Sequence, residues 1–265
     1  MPAENATERF SSRVEDYIRY RPRYPNTLVE SLRDEFALRP EHVIADIGAG
    51  TGISTEIFLR NGHEVYAVEP NAPMREAAGR LLSRYGRFHN VDGRAEATTL
   101  PDRSVDWIIA GQAFHWFDVD AAAREFSRVL RLPPNSNTSH VALFWNNRRE
   151  DTLFLAAFEE FLRAFATDYE QVKHQNIESD GRLDRFFAQR PAFRRFDNEQ
   201  VFDLDGVCGR TLSSSYMPGR DHPRYAAMMM ALDALFQRHA ENGKVRFLYH
   251  THLYVGSVRP AALRV

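Results

Sequence analysis

The sequence predicts an α/β fold in which a doubly wound, mostly parallel sheet is flanked by helices. Short apolar strands alternate with helix-period segments as far as Asn147, a glycine-rich turn follows the first strand, and two further strands come after long amphipathic helices. Alternation of strand and helix favours parallel pairing, because each helical crossover returns the chain to the same end of the sheet. We expect seven strands, an antiparallel strand at the C-terminal edge, and a helical cap.

Proline positions and hydrophobic spacing set the expected elements in order. Pro22 and Pro25 separate two N-terminal helices at 10–20 and 26–37, because proline interrupts helix interiors. The later helices, of which the last two are amphipathic, are expected at 53–60, 73–84, 120–131, 151–168 and 223–241. The strands are expected at 43–47, 64–68, 87–91, 105–110, 140–146, 195–204 and 245–257.

Composition indicates one domain over residues 1–265, because 43% hydrophobic and 12% aromatic content supports one substantial core. The formal net charge of −2 predicts no basic face for nucleic acid. Cys208 is the single cysteine, so we expect neither an intrachain disulfide nor a metal site. The sequence shows no apolar signal core or membrane span, and we expect a cytoplasmic protein that binds no membrane. The pattern leaves the oligomeric state open.

The turn after the first strand carries the strongest functional signal. Gly48, Gly50 and Gly52 allow a sharp turn and let a ligand approach bare main chain, because no Cβ stands in the way. The helix at 53–60 then places its free N-terminal amides toward that ligand. Glu69 follows the second strand at the carboxyl edge of the sheet, where open α/β sheets bind ligands. A carboxylate there suits a ribose diol, so the sequence predicts a nucleotide site.

Glycine spacing disfavours a dinucleotide. The dinucleotide fingerprint is G-x-G-x-x-G, whereas here the third glycine comes one residue early, at Gly52, and Ile53 takes its place. Asp46, two residues before Gly48, suits a cationic amino group better than phosphates. S-adenosylmethionine has that amino group, and we predict it as the cofactor, with S-adenosylhomocysteine as its product.

At these residues the chain resembles the class I S-adenosylmethionine-dependent methyltransferases, which have a Rossmann-like fold. Their first motif reads much like Asp46–Gly52, and their acidic ribose ligand stands where Glu69 stands. The segments Tyr17–Pro25 and Gly111–Asp118 resemble a methyltransferase type 11 subgroup that includes trans-aconitate methyltransferase-like proteins. The resemblance covers the first half of the chain and thins after Asn147.

The resemblance adds further cofactor residues. It implies that Pro70 and Met74 pack near the adenine and that Ala95 and Glu96 flank it, although Arg94 stands where many relatives carry the Asp that contacts the adenine amino group. With the residues argued above, the predicted cofactor contacts are Tyr17, Arg21, Asp46, Gly48, Ala49, Gly50, Gly52, Glu69, Pro70, Met74, Ala95, Glu96, Gln112 and Ala113.

Arginines near the N-terminus allow two interpretations. Arg19, Arg21 and Arg23 can clamp a carboxylate of the cofactor or of an acidic substrate, or they can form a solvated basic loop. We assign Arg21 to the cofactor.

Methyl transfer from a sulfonium depends mainly on positioning in a dry pocket, so a conspicuous acid–base pair is not required. A hydroxyl or amine acceptor still benefits from a base, and His115, just past the fourth strand, is the candidate. The bland alternative is that His115 bonds a carbonyl at the rim. We assign His115, Trp116 and Asn146 to the acceptor, a small molecule for which an acidic metabolite is favoured by the resemblance.

Together with the resemblance, the pattern divides the chain into functional parts. These are an N-terminal helical lid at 1–38, a cofactor-binding core at 40–147, cap elements at 151–190 and 206–241, and edge strands at 193–204 and 245–257.

Two rival functions stay open at this point. An NAD-dependent oxidoreductase would need the late glycine that Ile53 replaces. A non-catalytic S-adenosylmethionine-binding protein would keep the glycine turn and block the acceptor pocket.

Overall fold

The strands of the chain form one sheet. A computed structural model describes residues 14–131, 140–167, 180–214 and 216–259. Its strands are β1 (Val43–Ile47), β2 (Glu64–Val68), β3 (Phe88–Val91), β4 (Trp107–Gly111), β5 (His140–Arg148), β6 (Ala192–Phe202) and β7 (Val245–Gly256). They lie in the order β3-β2-β1-β4-β5-β7-β6. β1 to β5 pair in parallel, and β7 is antiparallel to both of its neighbours.

This sheet confirms the predicted fold class: seven strands, mostly parallel, with antiparallel pairing at the C-terminal edge. β7 is inserted between β5 and β6, so the strand at the extreme edge is β6 and the antiparallel strand lies one place inward. The strand order reverses between β1 and β4, and open α/β sheets bind ligands at that switch point.

Helices cover both faces of the sheet and continue into the cap. They are α1 (Val14–Tyr20), α2 (Asn26–Phe36), α3 (Ile53–Arg60), α4 (Ala72–Leu82), α5 (Val119–Val129), α6 (Leu153–Phe165), α7 (Arg182–Phe186), α8 (Leu204–Leu212) and α9 (Tyr225–His239). A 3-10 turn spans Phe114–Trp116. The predicted start of the first helix and residues 168–179 of the predicted cap lie outside the described residues.

Apolar side chains form one core on each side of the sheet and a third in the cap. Residues of α2 and α3 pack on one face, and residues of α5 and α7 pack on the other. The cap core joins α6, α8 and α9 to β7, and it is rich in aromatic pairs such as Phe154 and Phe158 against Phe247. β7 contributes to all three cores. Val245, Phe247 and Tyr249 pack into the cap, Leu253 and Val255 pack on the face of the sheet that carries α2 and α3, and Tyr254 packs on the opposite face.

Two short helices, α7 and α8, were not expected from the sequence. The sequence pattern does not indicate α8, because the helix contains two glycines and each glycine disfavours a helix by about 1 kcal/mol relative to alanine. Asp203 nevertheless caps it, because its side chain accepts a hydrogen bond from the Gly206 amide at 2.8 Å. Gly209 faces the ring of Tyr20 so closely that an added Cβ would lie 2.0 Å from Tyr20 Cε2. The glycine therefore reflects tight packing of α8 against α1.

Within the described ranges, no helix combines the length and apolar character needed to cross a bilayer.

Candidate functional site

The glycine turn after β1 is pinned to the end of β2. The amides of Gly48 and Ala49 both donate to the carbonyl oxygen of Val68, at 2.9 and 3.2 Å. Gly48 has φ of +71°, and a Cβ there would lie 2.6 Å from Ala113 Cβ. Gly52 then occupies the N-cap position of α3. The turn is therefore fixed by backbone bonds on one side and by close packing on the other.

Gly50 leaves open space at the middle of this turn. A Cβ at Gly50 would meet only Met74 Sδ, at 3.8 Å, so the main chain is accessible to a ligand there. The Gly50 amide donates to Glu69 Oε2 at 2.8 Å, which brings the predicted ribose ligand directly against the turn. The structure therefore brings Gly50, Glu69 and Met74 together, as the sequence analysis expected.

Glu69 is buried, with 7% of its surface exposed. Its Oε1 accepts from the Asn71 amide at 2.8 Å, and Asn71 in turn caps α4 by accepting from the Met74 amide at 3.0 Å. Burial raises the pKa of Glu69, while the two backbone donors act in the opposite direction. Each carboxylate oxygen accepts one amide hydrogen bond and keeps a lone pair, so Glu69 can accept from two hydroxyls. Pro70, beside it, is exposed.

The two carboxylate oxygens of Asp46 have different surroundings. Oδ2 accepts from Ser54 Oγ and from Thr55 Oγ1, both at 2.6 Å. Oδ1 is buried and has no hydrogen-bond partner among the described residues. Burial raises the pKa of Asp46 to about 6, although the two hydroxyls lower it. One oxygen therefore anchors α3, and the other is left for a donor.

Further buried acceptors without partners lie around the same turn. Thr51 Oγ1 and Gln112 Oε1 have none within the described part of the chain. Gln112 has φ of +58° and is held by its amide, which donates to the Phe144 carbonyl at 2.9 Å. Buried polar atoms in native proteins are nearly always bonded. With Asp46 Oδ1, these atoms fit the ammonium and hydroxyl donors of the cofactor that the sequence predicts.

Ala95 and Glu96 form the tip of a tight turn. The turn is closed by reciprocal backbone bonds between Arg94 and Ala97, at 3.1 and 3.0 Å. Ala95 is buried, and Glu96 Oε1 accepts from the Asp118 amide at 2.9 Å, which ties the turn to the start of α5. The side chain of Arg94 is exposed. The predicted adenine contacts therefore lie on a rigid turn, and their role stays a prediction.

The N-terminal residues Tyr17 and Arg21 link the crevice to the cap. Tyr17 packs against the cluster of Val14, Met74 and Ala77. The Arg21 guanidinium stacks on the Tyr17 ring, 5.0 Å from its centroid, and donates to the Ser213 carbonyl at 3.0 Å. This contact distinguishes Arg21 from its two neighbours. Arg19 is exposed, and Arg23 pairs with Glu56 on the surface.

The predicted acceptor residues have different surroundings. His115 is half-buried in the 3-10 turn, and its carbonyl accepts from Arg182 at 2.9 Å. Trp116 is 38% exposed, with its ring 4.6 Å from that of His115. Asn146 Oδ1 instead accepts from Thr251 Oγ1 at 2.5 Å and from Asn198 at 3.1 Å. Asn146 thus holds strands together at the site, and its contact with an acceptor stays a prediction.

Two residues that lie next to predicted site residues were not singled out from the sequence, namely Tyr24 beside Asp46 and Arg210 beside Arg21. Tyr24 packs its ring 4.6 Å from that of Phe144, and its hydroxyl would lie 2.8 Å from a Cβ at Gly111. Burial raises the pKa of Tyr24 well above its ordinary value. Its position inside the Tyr17–Pro25 segment was the available signal. Nothing in the sequence indicated a role for Arg210, because it lies in α8, a helix that the sequence analysis did not predict.

Comparisons with known proteins identify methyltransferases as relatives of this chain. Residues 45–132 match a family described as "Methyltransferase domain". An uncharacterised methyltransferase of Schizosaccharomyces pombe is 37% identical over 143 residues, which are 52% of this chain and 53% of that protein. A protein of Saccharomyces cerevisiae named "Probable S-adenosylmethionine-dependent methyltransferase" is 31% identical over 120 residues, 43% of this chain and 40% of that protein. The chain spans about half the length of the curated relatives it matches.

The fold also matches solved structures. A protein of Anaeromyxobacter dehalogenans, titled as a candidate type II methyltransferase, superposes with a TM-score of 0.60 at 22% identity. The match covers 91% of this chain and 99% of that one. At this identity the likeness establishes the architecture.

Proposed function

We propose that this chain is a class I S-adenosylmethionine-dependent methyltransferase, as the match over its residues 45–132 and its curated relatives indicate, and that it methylates a small-molecule acceptor. One observation carries the proposal. The open face of Gly50, the buried carboxylate of Glu69 and Asp46 Oδ1, which has no hydrogen-bond partner in the described part of the chain, meet at the switch point of the sheet. When bound, S-adenosylmethionine supplies an electrophilic methyl group.

The protein's contribution is to bind, orient and exclude water. Glu69 would accept from the ribose hydroxyls, and Asp46 Oδ1 would accept from the amino group. Ala95 and Glu96 would border the adenine, on a turn that cannot shift without breaking its backbone bonds. Positioning of this kind contributes about 7–11 kcal/mol to barrier lowering in well-oriented systems. A carboxylate acceptor would then need no further catalytic group.

Substitution of Glu69 tests the cofactor site. Glu69→Ala should weaken S-adenosylhomocysteine binding by about ten- to a hundredfold, because two charge-assisted bonds are lost. Isothermal titration calorimetry measures the change. Glu64→Gln, on the other end of β2, is the matched control and should leave affinity unchanged. Equal affinity in Glu69→Ala and the unsubstituted chain would contradict the assignment.

His115 is our proposed base for a hydroxyl acceptor. Its half-buried position in a turn held by Arg182 supports the assignment. With a hydroxyl acceptor, His115→Ala should lower kcat by about 10²- to 10⁴-fold, while S-adenosylhomocysteine affinity stays constant. With a carboxylate acceptor, turnover should persist. A metabolite screen that follows S-adenosylhomocysteine release supplies the acceptor, and His250→Ala serves as the control. Undiminished turnover of a hydroxyl acceptor would exclude the base role.

A further inference from the structure

Arg210 is buried in α8, and no described carboxylate is bonded to it. Only 7% of its surface is exposed. Nη1 donates to Ser214 Oγ at 3.2 Å, and Nε lies 3.4 Å from the Tyr249 hydroxyl. The Tyr249 hydroxyl donates a hydrogen bond to Gln200 Oε1 at 3.0 Å, so toward Arg210 it acts as an uncharged acceptor. Arginine is rarely buried to this extent without a carboxylate, because an unpaired buried charge is costly.

The guanidinium of Arg21 contacts the same short segment, Ser213 and Ser214, that lies beside Arg210 at the end of α8. Arg21 Nη2 donates to the Ser213 carbonyl at 3.0 Å, while Ser213 Oγ donates to the Arg210 carbonyl at 2.7 Å. Arg21 Nε is buried and has no partner among the described residues. Burial, and then the neighbouring charge of Arg210, lower the pKa of Arg21. The two cations therefore face the same small region and repel each other.

Among the described residues, the side chains whose electrostatics act on both arginines are tyrosines, namely Tyr17, Tyr216 and Tyr249. No carboxylate of the described ranges bonds to or forms an ion pair with either guanidinium. Tyrosine hydroxyls satisfy hydrogen bonds but do not neutralise two charges. An anion placed between the guanidiniums would supply both a countercharge and an acceptor for Arg21 Nε.

The pair borders the cofactor crevice. Arg21 stacks on Tyr17, and Tyr17 packs on Met74, whose sulfur faces Gly50. On the other side Arg210 belongs to the cap. A group bound between the arginines would therefore lie between the glycine turn and the cap.

We propose that Arg21 and Arg210 together form a binding site for a carboxylate of a molecule in this crevice. The inference rests on the proposed function, which offers two sources: the methionine carboxylate of the cofactor, or a carboxylate of the acceptor. Arginine suits either source, because its planar fork matches the two oxygens of a carboxylate.

The test compares Arg210→Gln, Arg21→Gln and Arg210→Lys with Arg238→Gln, an exposed arginine of α9, as control. Calorimetry gives the affinity of each full-length variant for S-adenosylhomocysteine and for methylthioadenosine, which lacks the amino acid part. Thermal unfolding of S-adenosylhomocysteine-saturated protein is then followed in acetate and succinate, with acetamide and succinamide as neutral counterparts. Arg210→Lys keeps the charge without the fork, so it should show an intermediate effect and provides a second variant if Arg210→Gln does not fold.

Two results support the site and identify the source. If it holds the cofactor carboxylate, both glutamine variants weaken S-adenosylhomocysteine binding by about tenfold or more and leave methylthioadenosine binding unchanged. If it holds the acceptor, Arg210→Gln leaves S-adenosylhomocysteine affinity unchanged, and only the carboxylates raise the unfolding midpoint, an effect that Arg210→Gln abolishes and Arg238→Gln retains.

An Arg210→Gln variant with unchanged cofactor affinity and an unchanged response to acetate and succinate would overturn the proposal. Failure of the unsubstituted chain to bind S-adenosylhomocysteine would instead contradict the proposed function. The carboxylate titration repeated without cofactor would still test the arginine pair in that case.

Discussion

At the residue scale, the candidate site contains carboxylate oxygens that can accept more hydrogen bonds than they do. Asp46 Oδ2 accepts from Ser54 and Thr55, whereas its buried Oδ1 has no partner among the described residues. Glu69 accepts one amide at each oxygen and retains further lone pairs. Holding these acceptors in place before the ligand arrives reduces the reorganisation required on binding.

Asp46 should make cofactor binding depend on pH. Its folded-state pKa of about 6 exceeds the ordinary value of 3.8. Protonation below that pKa removes the charge that attracts the amino group, so S-adenosylhomocysteine affinity should fall by about fourfold at about pH 5.5 relative to pH 7.5. Calorimetry across that range measures the effect. Asp46→Asn should bind more weakly at neutral pH and lose the dependence, whereas Asp233→Asn should retain it. A flat profile in the unsubstituted chain would refute the role.

The same raised pKa affects stability with a defined sign. Between about pH 4 and pH 6 the folded chain holds a proton on Asp46 that the unfolded chain has released. Ionisation of Asp46 therefore lowers stability as pH rises through this window. The ionised carboxylate of Asp46 is therefore unfavourable in the empty crevice, and a cationic ligand beside it should offset this cost.

At the element scale, α1 packs closely against α8. Gly209 is the residue that permits it, since the Tyr20 ring occupies the place of its Cβ. The Gln200 side chain adds a hydrogen bond to the Tyr20 carbonyl at 3.1 Å. α1 thereby rests on the cap at one end and on Met74 at the other.

Gly209→Ala should separate these two helices. Overpacking of this kind costs about 1–3 kcal/mol, which outweighs the gain in helix propensity. Chemical denaturation measures the loss, and a weaker affinity for S-adenosylhomocysteine should accompany it. Gly86→Ala, where a Cβ would have open space, is the control. The double variant Tyr20→Ala, Gly209→Ala should recover part of the stability. A Gly209→Ala chain as stable as the parent would show that α1 tolerates displacement.

At the scale of the whole molecule, core, lid and cap converge on the crevice. Because Tyr17 and Val14 pack against Met74, ligand binding at Gly50 should order α1. Hydrogen–deuterium exchange should show slower exchange in Val14–Tyr20 when S-adenosylhomocysteine is added, with little change in α6. Identical exchange of α1 with and without the ligand would argue against its closing the pocket.

The first half of the chain could be predicted closely from the sequence. β1, β2 and α3 lie at the predicted residues, because apolar runs bounded by glycine and proline leave few alternatives. The contact between Glu69 and the glycine turn followed from the rule that ligands bind at the carboxyl edge of the sheet.

The second half could not be predicted to the same extent. α8 contains glycines that tertiary packing requires and local propensity opposes, so no periodic signal marked it. From the sequence, Arg210 is expected to be an exposed surface charge. Its burial beside Arg21 is what suggests the proposed carboxylate site. Asn146 lies near the carboxyl end of β5, where a ligand contact is expected, yet its amide oxygen accepts from Thr251 and Asn198. Long-range neighbours decide these cases.

The position of β7 has a consequence for how a ligand enters and leaves. Its first residues pack in the cap and its last residues pack against the sheet, while the middle of the strand is hydrogen-bonded to β5 on one side and to β6 on the other. Rotation of the cap about this strand would break backbone hydrogen bonds in both ladders. We therefore expect ligand entry and release to require displacement of α1 rather than of the cap.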